Sequence, residues 1–168
     1  LAVEMEGIKP DLLNEPVIEW FYAVHPLLQK TLKKENRKIV PLNIRLNSEK
    51  HILLISGPNA GGKSVCLKTV GLLQYMLQCG LLIPITEGSK TGIFSQIFID
   101  IGDDQSLEND LSTYSSHLMN MKHFVKNSNE KTLILIDEFG TGTEPMLGGA
   151  IAESILDKLN QLGTFGVI

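Results

Sequence analysis

The sequence predicts an α/β fold with a mainly parallel central sheet flanked by helices, and three observations carry that expectation. Strand-like apolar runs alternate along the chain with helix-like apolar stripes. The runs 52–55 and 133–136 are continuously apolar, as strands covered on both faces are. A glycine-rich turn over 57–62 joins the first of these runs to a helical stretch.

Taken in order, Leu1-Ala2-Val3-Glu4-Met5-Glu6 favours a helix and has no cap residue before it. Residues 1–7 therefore read as the end of a longer connecting helix, and 8–168 as the domain it leads into. Residues 8–38 mix Pro10, Pro16 and Pro26 with short apolar runs and the basic residues Lys30, Lys33, Lys34, Arg37 and Lys38, which predicts an irregular approach segment. Val40, Leu42, Ile44 and Leu46 then alternate as a half-exposed strand, and 52–55 follow as a buried one. A helix is expected over 63–79, with Cys66, Val70, Leu73 and Leu77 on one face, Val65, Leu72 and Met76 on another, and Gly80 as its stop. Further strands are expected at 82–85 and 93–101, with a loop at Gly102-Asp103-Asp104-Gln105. Asn109 and Asp110 offer caps for a helix whose inner stripe is Leu111, Tyr114, Leu118, Met121 and Val125. A buried strand at 133–136, an amphipathic helix at 147–159 and a strand at 165–168 complete the pattern, and the chain reads as cut short there.

With 168 residues, 43% of them hydrophobic, the chain suits one globular domain with a sizeable core. A formal net charge of −4 argues against gripping nucleic acid through bulk positive charge. Cys66 and Cys79 lie in one apolar stretch and read as core thiols, not as a disulfide or metal pair, which suits a reducing cytoplasm. No apolar run reaches membrane-spanning length, so no membrane is expected. His25, His51, His117 and His123 have no metal-ligand company and read as surface or packing residues.

The chemistry is concentrated at two places. Gly57-Pro58-Asn59-Ala60-Gly61-Gly62-Lys63-Ser64, running on into Val65, has the spacing of a phosphate-binding loop and stands between a strand and a helix, the context that motif requires. Small residues let backbone N–H groups converge on phosphate oxygens, and the helix N-terminus adds the positive end of its dipole. Lys63 is then expected to bridge the β- and γ-phosphates of ATP, and the Ser64 hydroxyl to ligate Mg²⁺. At the end of the run 133–136, Asp137 is expected to hold the magnesium through water, while Glu138 orients or deprotonates the attacking water. The chain is on this reading a P-loop NTPase and an ATP hydrolase. No arginine follows Arg45, so nothing from the loop onward supplies an arginine finger or lid arginines. The missing donors must come from another chain, and Ser112-Thr113 at a helix start is the best candidate, although Ser112 alone reads first as a helix cap.

Together these residues resemble the ATPase domain of the MutS family of DNA-repair proteins, a branch of the ABC-type ATPases. The resemblance runs from about Trp20 to the end: His25-Pro26-Leu27, the Gly57-Pro58-Asn59 loop through Lys63-Ser64, Ser112-Thr113-Tyr114, and Asp137-Glu138 followed by Gly140-Thr141-Gly142-Thr143. Ile101-Gly102-Asp103-Asp104-Gln105-Ser106 and Ser115-Ser116-His117 are more similar to the second bacterial MutS type, linked to recombination control, than to the mismatch-recognising type. The resemblance implies that Ile39 and Val40 sit near adenine. It also implies a homodimer in which Ser112 of one subunit meets the nucleotide of the other, with 140–143 at the interface. ATP-driven dimerisation would be coupled through the lever to a DNA clamp in parts of the parent absent here, as would be any C-terminal nuclease module. The competing readings are another ABC-type engine for chromosome maintenance or transport, whose signature would read Ser-Gly-Gly, a small-molecule kinase, whose lid arginines are missing, and a non-enzymatic interaction module.

Overall fold

The computed structural model describes residues 3–57, 61–102, 110–137 and 144–168, with the side chains of all of these except 110–114. In chain order the elements are β1 (Asp11–Leu12), β2 (Ile18–Ala23), α1 (Pro26–Lys34), β3 (Leu42–Leu46), β4 (Ile52–Leu53), α2 (Lys63–Gln78), β5 (Lys90–Thr91), β6 (Gln96–Asp100), α3 (Asp110–Asn127), β7 (Thr132–Ile136), α4 (Pro145–Gln161) and β8 (Phe165–Val167). The fold is mixed α/β, and it divides into two compact units, Leu1–Lys50 with Gly57–Ile93 and His51–Ser56 with Phe94–Ile168.

The first unit holds a sheet of order β1-β5-β2-β3, parallel between β1 and β5 and antiparallel elsewhere. The expected alternation shows in β3, where Ile44 and Leu46 are buried and Asn43 and Arg45 exposed. Its partner β2 lies in the segment expected to be irregular. Ile18 and Trp20 alternate into the core there, and a bulge puts Tyr22 at φ +53 with its N–H on Asn43 Oδ1 at 2.9 Å. Pro26 does not break structure but starts α1, as proline at a first helical position can. His25 Nδ1 accepts from Leu28 N–H at 3.3 Å as the helix cap.

Two expected elements differ. Residues 3–6 form a turn instead of a helix, with Glu6 at φ +53 and its N–H on the Val3 carbonyl. The strand expected at 82–85 is a single antiparallel bridge between Ile8 and Ile83, because Pro84 has no N–H with which to continue a ladder. Helix α2 matches its expected extent and its stop at Gly80, which has φ +79, with the Leu81 N–H on the Met76 carbonyl, but Val65, expected on a buried face, is exposed. Its buried side is Leu67, Val70, Leu73 and Met76, joined by Gln74, whose amide donates to the Gly92 carbonyl. Cys66 is half-buried, and that burial pushes its thiol pKa up to about 11. Cys79, expected in the core, is exposed at the cap of α2, and both thiols are free.

The second unit is an all-parallel sheet of order β4-β8-β7-β6. Every residue of β7 is buried, as its unbroken apolar run requires. The run 52–55 turns out to be less buried than expected, because β4 pairs on one side only; Ile52 and Leu53 are half-buried and Leu54 is 62% exposed. Helices α3 and α4 bring Met121, Phe124 and Leu159 against Ile134, Ile136 and Ile168, with Phe98 stacked on Phe124 at 5.0 Å. Gly166 keeps β7 and β8 close, since a Cβ there would lie 2.9 Å from Ile134 Cγ1. Among the described residues no helix is long and apolar enough to cross a membrane.

Candidate functional site

Each unit contributes part of the predicted chemistry. In the first, the chain turns through Gly57 at φ +150 and enters α2 from Gly62 at φ +87, backbone conformations that side chains with a Cβ rarely adopt. At both positions the space a Cβ would fill is open among the described residues, leaving the backbone accessible. Helix α2 starts without a side-chain cap and with no acidic residue in its first turn, so neither a cap oxygen nor a carboxylate competes for its leading N–H groups. Lys63 Nζ donates to the Gly57 carbonyl at 2.6 Å, folding the side chain back across the turn. The described parts fit a phosphate group: two positive-φ glycines, a lysine beside them and a helix start with no side-chain cap are groups that can hold an anion. Gly61 is exposed, Ser64 half-buried and Val65 42% exposed, while Pro58, Asn59 and Ala60 lie outside the described residues. Ile39 is half-buried and Val40 is 88% exposed in the coil before β3.

In the second unit Asp137 stands at the C-terminal end of a parallel strand, where open α/β sheets bind their ligands. Asp137 follows β7 directly, is buried, and donates its N–H to the Asp100 carbonyl at 2.9 Å, extending the β6–β7 ladder by one step. Glu138 and 140–143 lie outside the described residues. Ser112 lies in the first turn of α3, its side chain not described. Among the described residues no three His, Cys, Asp or Glu side chains gather as a metal site. A hydroxyl such as that of Ser64 and a carboxylate such as that of Asp137 are each oxygen donors of the kind magnesium takes.

Sequence reasoning missed Asp100. Its buried carboxylate accepts from His117 Nδ1 at 2.6 Å and from Asn120 Nδ2 at 2.8 Å. His117 is thus more than a surface or packing residue, and so is the cap residue His25. The available signal was the pair His117 and Asn120, three apart on a helix and so on one side of it, following a strand that ends on an acid.

The family model for MutS domain V matches residues 53–166, from β4 into β8 and so through the loop, the acid strand and the helices between them. The chain belongs to the MutS family. Within it the chain is of the second MutS type. It is 50% identical over 160 residues to an Endonuclease MutS2 of Pelotomaculum thermopropionicum, covering 95% of this chain. It is 47% identical over 161 residues to one of Lactobacillus helveticus and 48% identical over 161 residues to one of Lactobacillus acidophilus, each covering 96% of this chain. In all three the matched stretch is 20% of the relative's length, so the chain spans about a fifth of the MutS2 relatives it matches.

Proposed function

We propose that this chain binds and hydrolyses ATP as the P-loop, ABC-type engine of a MutS-like DNA repair or recombination protein. The observation that carries the reading is the turn from Gly57 to Lys63, where two positive-φ glycines and a lysine folded back on the loop carbonyl open an uncapped helix start. Residues 8–168 form the ATPase domain and 1–7 the end of its lever. Residues 57–65 hold the phosphates, with the Lys63 ammonium between the β- and γ-phosphates. Val40 offers an exposed apolar side chain to adenine, with Ile39 beside it. Ser64 and Asp137 hold the magnesium, which when bound neutralises phosphate charge. Glu138 orients or deprotonates the attacking water, and Ser112 reaches the nucleotide of a second subunit in a homodimer. DNA is gripped by regions outside this chain, in the cytoplasm, and the dimer's ATP cycle drives that clamp.

The test is a pair of variants. Lys63→Ala should remove nucleotide binding, because the phosphate charge loses the lysine that flanks it, whereas Glu138→Ala should keep binding and stop turnover. Phosphate release from Glu138→Ala at the parent rate would refute the role given to that residue.

A further inference from the structure

Asp100 is buried, and among the described residues its contacts lead to two different parts of the proposed ATPase machinery. Through its main-chain carbonyl it receives the Asp137 N–H at 2.9 Å, which fixes the backbone at the residue proposed to hold magnesium. Through its side chain it receives His117 at 2.6 Å and Asn120 at 2.8 Å, both on α3. With a carboxylate oxygen as the acceptor, the His117 ring donates from Nδ1–H. Gly102 flanks the other edge of that ring, since a Cβ on it would lie 3.7 Å from His117 Cε1.

Among the described side chains of α3, those in the core cluster are Met121 and Phe124, with Val125 half-buried beside them, all C-terminal to the clamp. Ser112 lies on the other side of it, five residues before His117 and so about 7 Å along the helix axis. Apolar contact is non-directional and tolerates small rotations, whereas two hydrogen bonds to one carboxylate fix the helix about its axis. From this we infer that Asp100 and His117 are positioning residues for ATP hydrolysis: their clamp sets the N-terminal half of α3, with Ser112, in register with Asp137. The inference rests on the proposed ATPase function.

The experiment uses the full chain and the variants His117→Ala, His117→Asn and Asp100→Ala. An asparagine amide can stand where Nδ1–H stands, so His117→Asn should retain the clamp. His117→Ala should lower kcat by about tenfold with KM within about twofold, His117→Asn should recover most of the loss, and adding Asp100→Ala to His117→Ala should cost little more. Amide hydrogen exchange gives a readout independent of turnover. In His117→Ala the Asp137 amide and the amides of 115–120 should exchange about tenfold faster, with 133–136 unchanged. If His117→Ala turns over at the parent rate while Glu138→Ala stops, the clamp has no positioning role and the ATPase reading stands. If the parent chain hydrolyses no ATP, the ATPase reading fails and with it the catalytic role of the clamp. Unchanged exchange at Asp137 in His117→Ala overturns the coupling of the two parts. Should Asp100→Ala fail to fold, the His117 series decides alone.

Discussion

His25 illustrates how one side chain can couple local structure to pH. Its imidazole accepts the Leu28 N–H only when Nδ1 is unprotonated. Burial is the main force holding its pKa below the ordinary value near 6.5, with nearby Lys68 adding to it against an opposing backbone hydrogen bond. The folded state therefore takes up a proton less readily than the unfolded chain. The resulting stability is fully present above about pH 6.5 and is lost as pH falls through the lowered folded value. His25→Asn keeps a cap that does not titrate, so urea unfolding at pH 7.5 and 5.5 should show a smaller acid loss than in the parent; an equal loss would remove His25 as a cause. His25→Ala should cost about 1 kcal/mol at pH 7.5. The roles proposed for Lys63, Ser64 and Asp137 could be read from the sequence because phosphate and magnesium chemistry dictates residue type and spacing. Asp100 with His117 was not, because the two are seventeen residues apart and only the return of the chain from α3 to the end of β6 makes them neighbours.

At the scale of elements, the sequence was legible where one environment decides the pattern. β7 is covered on both faces and reads as a continuous apolar run, and α2 shows its glycine stop. It was illegible where proline has two meanings: Pro26 opens α1, Pro16 precedes β2, and Pro84 ends pairing after one bridge. The two-residue strand β5 was missed because its cause is elsewhere in the chain. The backbone just beyond it at Gly92 presses on residues 15 and 16, and a Cβ on Gly92 would lie 2.0 Å from the Glu15 carbonyl oxygen. Gly92 also donates its N–H to the Val17 carbonyl at 2.8 Å. Gly92→Ala must therefore push backbone from backbone, and it should destabilise by about 2 kcal/mol or more. Gly149 is the contrast, exposed on α4 with nothing among the described residues within 4 Å of its missing Cβ. Gly149→Ala should stabilise by up to about 1 kcal/mol. Thermal unfolding of both variants checks the pair, and equal shifts would show that neighbour contacts do not set the difference.

On the scale of the whole molecule, charge and stoichiometry become testable. With a formal net charge of −4 and a basic cluster confined to the short stretch 30–38, this chain alone should bind duplex DNA weakly at physiological salt, and tight binding in a titration would relocate the proposed DNA contacts. The proposed dimer follows from a shortage of donors. On the proposed reading one subunit offers the γ-phosphate Lys63, loop amides and magnesium, and no arginine after Arg45 is present to add to them. The resemblance that supplied the Ser112 assignment places that residue across a symmetric interface, so two nucleotides would be shared by two chains. Turnover per subunit should then rise with protein concentration. A mixing experiment separates this from a self-sufficient site: an excess of Lys63→Ala subunits, with Ser112 intact, is combined with Ser112→Ala subunits, whose Lys63 is intact. In a mixed pair one nucleotide site has both a working loop and a donated serine, so activity that neither variant shows alone should appear. If heterodimers demonstrably form and the mixture stays inactive, Ser112 is not donated in trans. A dilute monomer that turns over as fast as the dimer would show that one subunit completes the site alone.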